Sequence, residues 1–144
     1  MKPGFTLLEF LLAAIIIAFL LITVVLQRNL VNTLQIARDS ERRTEIQELS
    51  HAIYQYSIEE GGYAGVTSQP TEVCVDHVDQ DQCEAQGLLF LGDLVPQYLS
   101  AIPQDPLFKG KEESRSGYEV YLTNTNRISM RALESEQSEI ELIR

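Results

Sequence analysis

The sequence predicts an α+β fold: a long N-terminal α-helix, transmembrane in its first half, packed against a small antiparallel β-sheet. Three observations carry that reading. A run from Phe5 to Leu26 is almost wholly apolar. No glycine or proline interrupts the chain between Phe5 and Glu60, and Gly61-Gly62 follows. Short segments that alternate apolar and polar residues fill the last third. The mean hydropathy of −0.07 averages these unlike parts and describes neither.

The apolar run comes first. At 1.5 Å per residue its roughly 22 residues span about 33 Å, against about 30 Å of bilayer hydrocarbon. Its one charged residue is Glu9. A carboxylate at that depth costs roughly 2.5 kcal/mol or more. The surrounding Leu, Ile, Val and Phe side chains, at about −0.5 kcal/mol each, outweigh it severalfold. A membrane span therefore fits better than a buried helix of a soluble protein. It also fits better than a secretory signal, which needs small residues at a cleavage point where this chain has Gln27, Arg28 and Asn29.

The helix should continue from the run to about Glu60, some 56 residues and roughly 84 Å in all. Ala, Leu, Glu, Gln and Arg, all good helix formers, dominate the second half. Ile46, Leu49, Ile53 and Tyr56 fall at steps of three and four and make an apolar stripe that should hold the sheet. Leu30, Leu34 and Ala37 make a second stripe, suited to a neighbouring helix. Between the stripes, Arg38 to Glu45 is nearly all charged or polar and reads as a solvated face, with i,i+4 or intersubunit pairing as the alternative.

Gly61 to Glu72 reads as a loop. Cys74 and Cys83 follow, close enough in sequence for a disulfide, which would contribute about 2.5 to 3 kcal/mol in the chain-entropy model. Cys74, His77 and Cys83 could supply three zinc ligands, but no fourth is evident and the spacing is not a zinc pattern. Asp76, Asp79, Asp81 and Glu84 could face calcium, without EF-hand spacing; a solvated acidic loop is the plainer reading. Asp93 should cap a helical turn over Leu94 to Leu99, with Pro96 in its first turn. Gly117 to Asn124 and Arg127 to Leu133 alternate and form a hairpin, and Ile140 with Leu142 marks a third strand. The acidic stretch Glu134 to Glu139 reads as a solvated loop.

The net charge of −10 argues against nucleic acid as a partner, because phosphate binding needs clustered Lys and Arg. No nucleophile–base motif, phosphate-cradling glycine loop or cofactor motif is present, so neither an enzyme nor a cofactor is expected; His51, on the helix, reads as a packed or half-exposed residue.

Gly4 to Glu9, G-F-T-L-L-E, resembles the processing site of type IV pilins and of the pseudopilins of type II secretion. Ala37 to Tyr56 resembles the exposed half of the pilin helix, and Ile102 to Pro106, I-P-Q-D-P, a loop common in pseudopilins and related pilins. Many members carry a proline where this chain has Leu26. The resemblance implies a pilin-like fold, with a leader at 1–4, a transmembrane and assembly segment at 5–26, a helix continuation at 27–60 and a globular domain at 61–144. It implies cleavage between Gly4 and Phe5 by a prepilin peptidase, with N-methylation of Phe5. Glu9 would then pair with the new amino terminus of a neighbouring subunit and set the axial step of a helical filament; snorkelling to the headgroups is the plain alternative.

The implied function is a structural subunit of a type IV pilus-like filament. The runners-up are a secretion pseudopilin and a low-copy minor pilin with an adhesin or DNA-uptake role. The implied partners are further copies, other pilins or pseudopilins, the peptidase, a membrane assembly platform, and the bilayer before assembly. The implied location is the cytoplasmic membrane, single-pass, before an extracellular or periplasmic filament. Only Lys2 precedes the span, whereas Arg28, Arg38, Arg42 and Arg43 follow it, a bias that would place the C-terminal part inside. The processing site faces the cytoplasm in the family, and the expectation follows it: N-terminus inside.

Overall fold

The structure, a computed structural model, describes residues 6–110 and 114–144, with the side chains of Arg28 and Asn29 excepted. The expected processing residues, Gly4 and Phe5, lie outside the described residues. The expected fold class is found: a long N-terminal helix and a small antiparallel sheet.

Helix α1 runs Leu7–Glu60. It stops where expected, at Gly61, whose φ of +75° a side chain would resist. The chain forms two compact units, residues up to Ile36 and Ala37–Arg144. The second takes in the last part of α1.

Four strands follow in an antiparallel meander: β1 (Thr71–Cys74), β2 (Arg115–Leu122), β3 (Ile128–Ala132) and β4 (Ile140–Ile143). The β2–β3 hairpin turns through Thr123–Asn126 as expected, with the Thr123 N–H donating to Arg127 O and Asn126 at φ +57°. The sequence pointed to three strands; β1 is a fourth, inside the stretch read largely as loop. Its outer side is covered by Leu89, through bonds from Leu89 N–H to Glu72 O and from Cys74 N–H to Leu89 O, both 2.9 Å. Such pairing protects an edge that would otherwise invite another strand.

The β1–β2 register slips between Glu72 and Cys74. Gly117 stands at the slip with φ +84°, and a Cβ there would lie 2.7 Å from the Cβ of Asp105. Glycine is required on both counts. The loop holding Asp105 is thereby drawn against β2, and Asp105 N–H donates to Ser116 O at 2.8 Å.

The expected stripe packs on the sheet: Ile46, Leu49 and Ile53 of α1 lie against Tyr118, Val120, Ile128, Met130 and Ile140 and against Val73 of the unexpected β1, closed by Leu91, Leu94 and Ile102, while Tyr56 of that stripe is only partly buried. A second, smaller cluster holds Cys74, Val75, Val78 and Cys83. The Cys74–Cys83 disulfide is present and staples this cluster to the end of β1. The acidic stretch inside the bridge is not all loop, since Gln80–Ala85 forms a short helix, α2. Asp93 does not cap a turn over Leu94–Leu99; it lies within a 3-10 turn, Gly92–Leu94, flanked by Leu91, which has no capping side chain.

Candidate functional site

Two stretches of α1 bear on function, and each is built from its own residues. The first is Leu7 to Ile36. Every large apolar side chain described in it is more than half exposed, from Leu7 at 84% to Leu34 at 52%. Glu9 apart, the helix is apolar on all sides as far as Leu26, polar residues from Gln27 to Gln35 interrupt it beyond, and nothing in the first unit covers it. Soluble proteins seldom expose continuous apolar surface beyond a few hundred Å². The helix is long and apolar enough to cross a membrane.

Glu9 lies in the first turn of this stretch. Its Oε2 accepts from the N–H and from the hydroxyl of Thr6, and its own N–H donates to Thr6 Oγ1, each at 3.3 Å. This is the reciprocal capping arrangement of Thr-x-x-Glu, which satisfies orphan N–H groups at a helix start. The sequence carries that signal in Thr6-Leu7-Leu8-Glu9. Glu9 thus has hydrogen-bond partners within its own chain.

The second stretch is Arg38 to Glu45. It was expected to be a solvated face; Ser40, Glu41, Arg43 and Thr44 are indeed exposed, but Asp39 and Arg42 on the other side are buried in a seam under two loops. Arg42 is fully buried. Its Nε and Nη2 donate to Oδ2 and Oδ1 of buried Asp105, at 2.6 and 3.0 Å. Its Nη1 donates to Asp39 Oδ1 at 2.7 Å and to Glu136 Oε2 at 3.3 Å. Arg38 grips both oxygens of Glu136 at 2.6 Å. Asp39 in turn accepts the N–H groups of Glu136 and Gln137, at 3.1 and 2.8 Å. Further along, Glu45 accepts the Tyr118 hydroxyl, and Lys109 bridges Glu41 and Glu45 at 2.5 and 2.9 Å. Glu134 to Glu139 is largely exposed, as expected of a solvated loop, but its Glu136 and the Gln137 N–H supply one wall of the seam, and the I-P-Q-D-P loop supplies the other through Asp105.

The protonation preferences follow from this geometry. Burial works against the Arg42 charge, but hydrogen bonds to Asp105, Asp39 and Glu136 outweigh it and raise its pKa. Burial likewise works to raise the Asp39 pKa. The N–H groups of Glu136 and Gln137 and the Arg42 guanidinium overcome it, and the carboxyl sits below its ordinary value. The Glu136 carboxyl is lowered chiefly by its hydrogen bonds to Arg38. Burial and Glu45 together raise the Tyr118 pKa.

The remaining candidates separate. Cys74 and Cys83 are spent in the disulfide and offer no thiolate. Asp76, His77, Asp79, Asp81 and Glu84 are exposed. Among the described residues no three His, Cys, Asp or Glu side chains are grouped to hold a metal ion. His51 is exposed rather than packed, and accepts from the Arg144 guanidinium at 2.7 Å. It borders an open groove of about 490 Å³, lined by Gln47, Glu48, Gln55, Tyr98 and Leu99 among others. Compared with protein-family models, with curated proteins and with solved structures, the chain matches none of them.

Proposed function

We propose that this protein is a non-enzymatic structural subunit of a type IV pilus-like filament, stored in the cytoplasmic membrane and polymerised through the first part of α1. One observation carries the reading: the apolar side chains from Leu7 to Ile36 are uncovered on every side of the helix, with Glu9 as the one acid in its first turn. Lipid covers such a surface in the stored subunit. Neighbouring helices cover it in the filament. The stretch is longer than one bilayer crossing needs, since about 20 apolar residues suffice. Leu30, Val31, Leu34 and Ile36 then belong to helix–helix packing rather than to lipid.

Processing in this proposal removes residues 1–4 and leaves an N-methylated amine on Phe5. The Thr6 cap holds Glu9 while the subunit is alone. In the filament the amine of a neighbouring subunit brings the one thing the cap lacks, a positive charge. A carboxylate in hydrocarbon is far less costly with a cation beside it. The N-terminus faces the cytoplasm, and the disulfide-stapled unit faces the oxidising side, where such bonds persist. Secretion pseudopilus and surface pilus share this chemistry, as does a low-copy minor pilin.

Mass spectrometry of the protein purified from its native membrane tests the reading. The expected chain begins at N-methyl-Phe5 and lacks Met1 to Gly4. A mature protein that keeps an intact leader overturns it.

A further inference from the structure

The buried charges of α1 stand in line with its core stripe. Asp39, Arg42, Ile46, Leu49 and Ile53 follow one another at steps of three and four, and all are buried. A stripe made only of apolar residues would hold a sheet without saying which turn of the helix it holds. Sliding α1 by three residues, about 4.5 Å, shows the difficulty. Leu49, Ala52 and Tyr56 would arrive where Ile46, Leu49 and Ile53 now sit, so apolar packing does not forbid the slide. Glu48 would arrive at the place of Glu45, so the contacts to Tyr118 and Lys109 do not forbid it either.

The charges forbid it. After the slide Asp105 would face Glu45 instead of Arg42, and Glu136 would face Glu41 instead of Arg38. Arg42 would be brought to the N–H groups of Glu136 and Gln137, which Asp39 now accepts. The contacts to Asp105, to the Glu136 carboxylate and to these two N–H groups thus each become a donor against a donor or a carboxylate against a carboxylate.

We propose that Arg38, Asp39 and Arg42, read by Asp105 and Glu136, set the register of α1 on the sheet. They are positioning residues, and their work is to exclude the neighbouring register rather than to add stability. A polar group buried in an apolar seam performs the same task in coiled coils. The arrangement also ties two loops to one place on α1, since each contributes one carboxylate to the seam.

The test uses the full chain in lipid vesicles with its disulfide intact. Thiol-specific spin labels are placed at two exposed positions, Gln55 on α1 and Thr125 on the hairpin turn, and the distance distribution is measured by pulsed electron resonance. The parent chain should give one narrow distance. Asp105→Lys with Glu136→Lys rewards the slid register, because Glu45 and Glu41 then meet cations. A second distance, displaced by up to about 4.5 Å, is the expected result. Asp105→Asn with Glu136→Gln keeps the shapes and removes the charges, and should show the same second distance at lower population. If the lysine variant does not fold, the amide variant decides. A single parental distance in the folded variants, whatever their loss of stability, overturns the proposal.

Discussion

The two parts of α1 are one helix built from similar helix-forming residues, yet they treat charge in opposite ways. From Leu7 to Ile36 the apolar side chains are exposed, and the acid of the first turn is held by a threonine. From Ala37 to Glu60 the apolar stripe is buried, and a guanidinium is buried with it among three carboxylates. Helix propensity is nearly the same in both. The difference lies in what else the sequence provides. The second part has a sheet and two acidic loops to cover it. The first part has nothing in its own unit to cover it; in the proposed function lipid and neighbouring helices cover it. On that reading the uncovered apolar helix with its one acid is a half-interface, whereas the covered helix with matched charges is already complete within its own unit.

The largest expected effect separates those two roles at Glu9. Glu9→Ala should abolish filament assembly while the unfolding of the Ala37–Arg144 unit stays unchanged. Glu9→Gln sharpens the result, because glutamine also completes a capping box. It should restore the helix start and leave assembly lost. Electron microscopy of sheared filaments and thermal unfolding of the solubilised chain read the two outcomes. Normal filaments from Glu9→Gln would show that the charge is dispensable.

Arg42→Ala should do the reverse, destabilising the Ala37–Arg144 unit by about 3–5 kcal/mol, because it strands Asp105 in the interior without a cation. Arg42→Met with Asp105→Leu should cost far less, since replacing a buried pair by apolar groups is often neutral. Denaturant unfolding, followed through the tyrosines, gives both values. Equal losses in the single and double variants would mean that the pair contributes stability outright.

Acid provides a smaller and graded version of the same test. Asp39 and Glu136 have pKa values in the fold below their ordinary 3.8 and 4.5. Groups lowered by folding contribute stability above their ordinary pKa and lose it as the pH falls through their folded pKa. The melting temperature of the Ala37–Arg144 unit should therefore hold steady above about pH 5 and fall below about pH 4. Glu136→Gln should flatten that fall. Glu141 is also lowered, by the hydroxyls of Ser129 and Tyr121, so some acid dependence should survive the substitution.

Much of this was legible in the sequence, and for stated reasons. A helix without breakers, a stripe at steps of three and four, alternating strands and two close cysteines are local signals, and each appears where the residues place it. What was not legible depends on distant partners. Nothing near Arg42 says that its acceptors lie at Asp105 and Glu136, so a run of mixed charge reads as solvated. Its position in line with Ile46 was visible and could have raised the question. β1 is four residues long, follows Pro70, and owes its pairing to β2 more than 40 residues away. The Thr6–Glu9 cap was wholly local. It was missed because an acid in an apolar run suggests a missing cation before it suggests a neighbouring hydroxyl.

That cap gives the smallest effect, and the one that most directly separates the two readings of Glu9. Thr6→Val removes both the hydroxyl that donates to Glu9 and the oxygen that accepts the Glu9 N–H. Losing a threonine cap typically costs about 1 kcal/mol. The Glu9 amide should then exchange about fivefold faster in micelles, because 1.4 kcal/mol corresponds to tenfold. Thr6→Ser should exchange like the parent. If the cap only holds the carboxylate until a cation arrives, Thr6→Val should still assemble, and the neighbour's amine should bind a carboxylate that no longer has a competing donor. If filaments fail in Thr6→Val as completely as in Glu9→Ala, then the hydroxyl belongs to the intersubunit contact, and the first turn of α1 acts as a single Thr–Glu unit instead of a charge with a temporary partner.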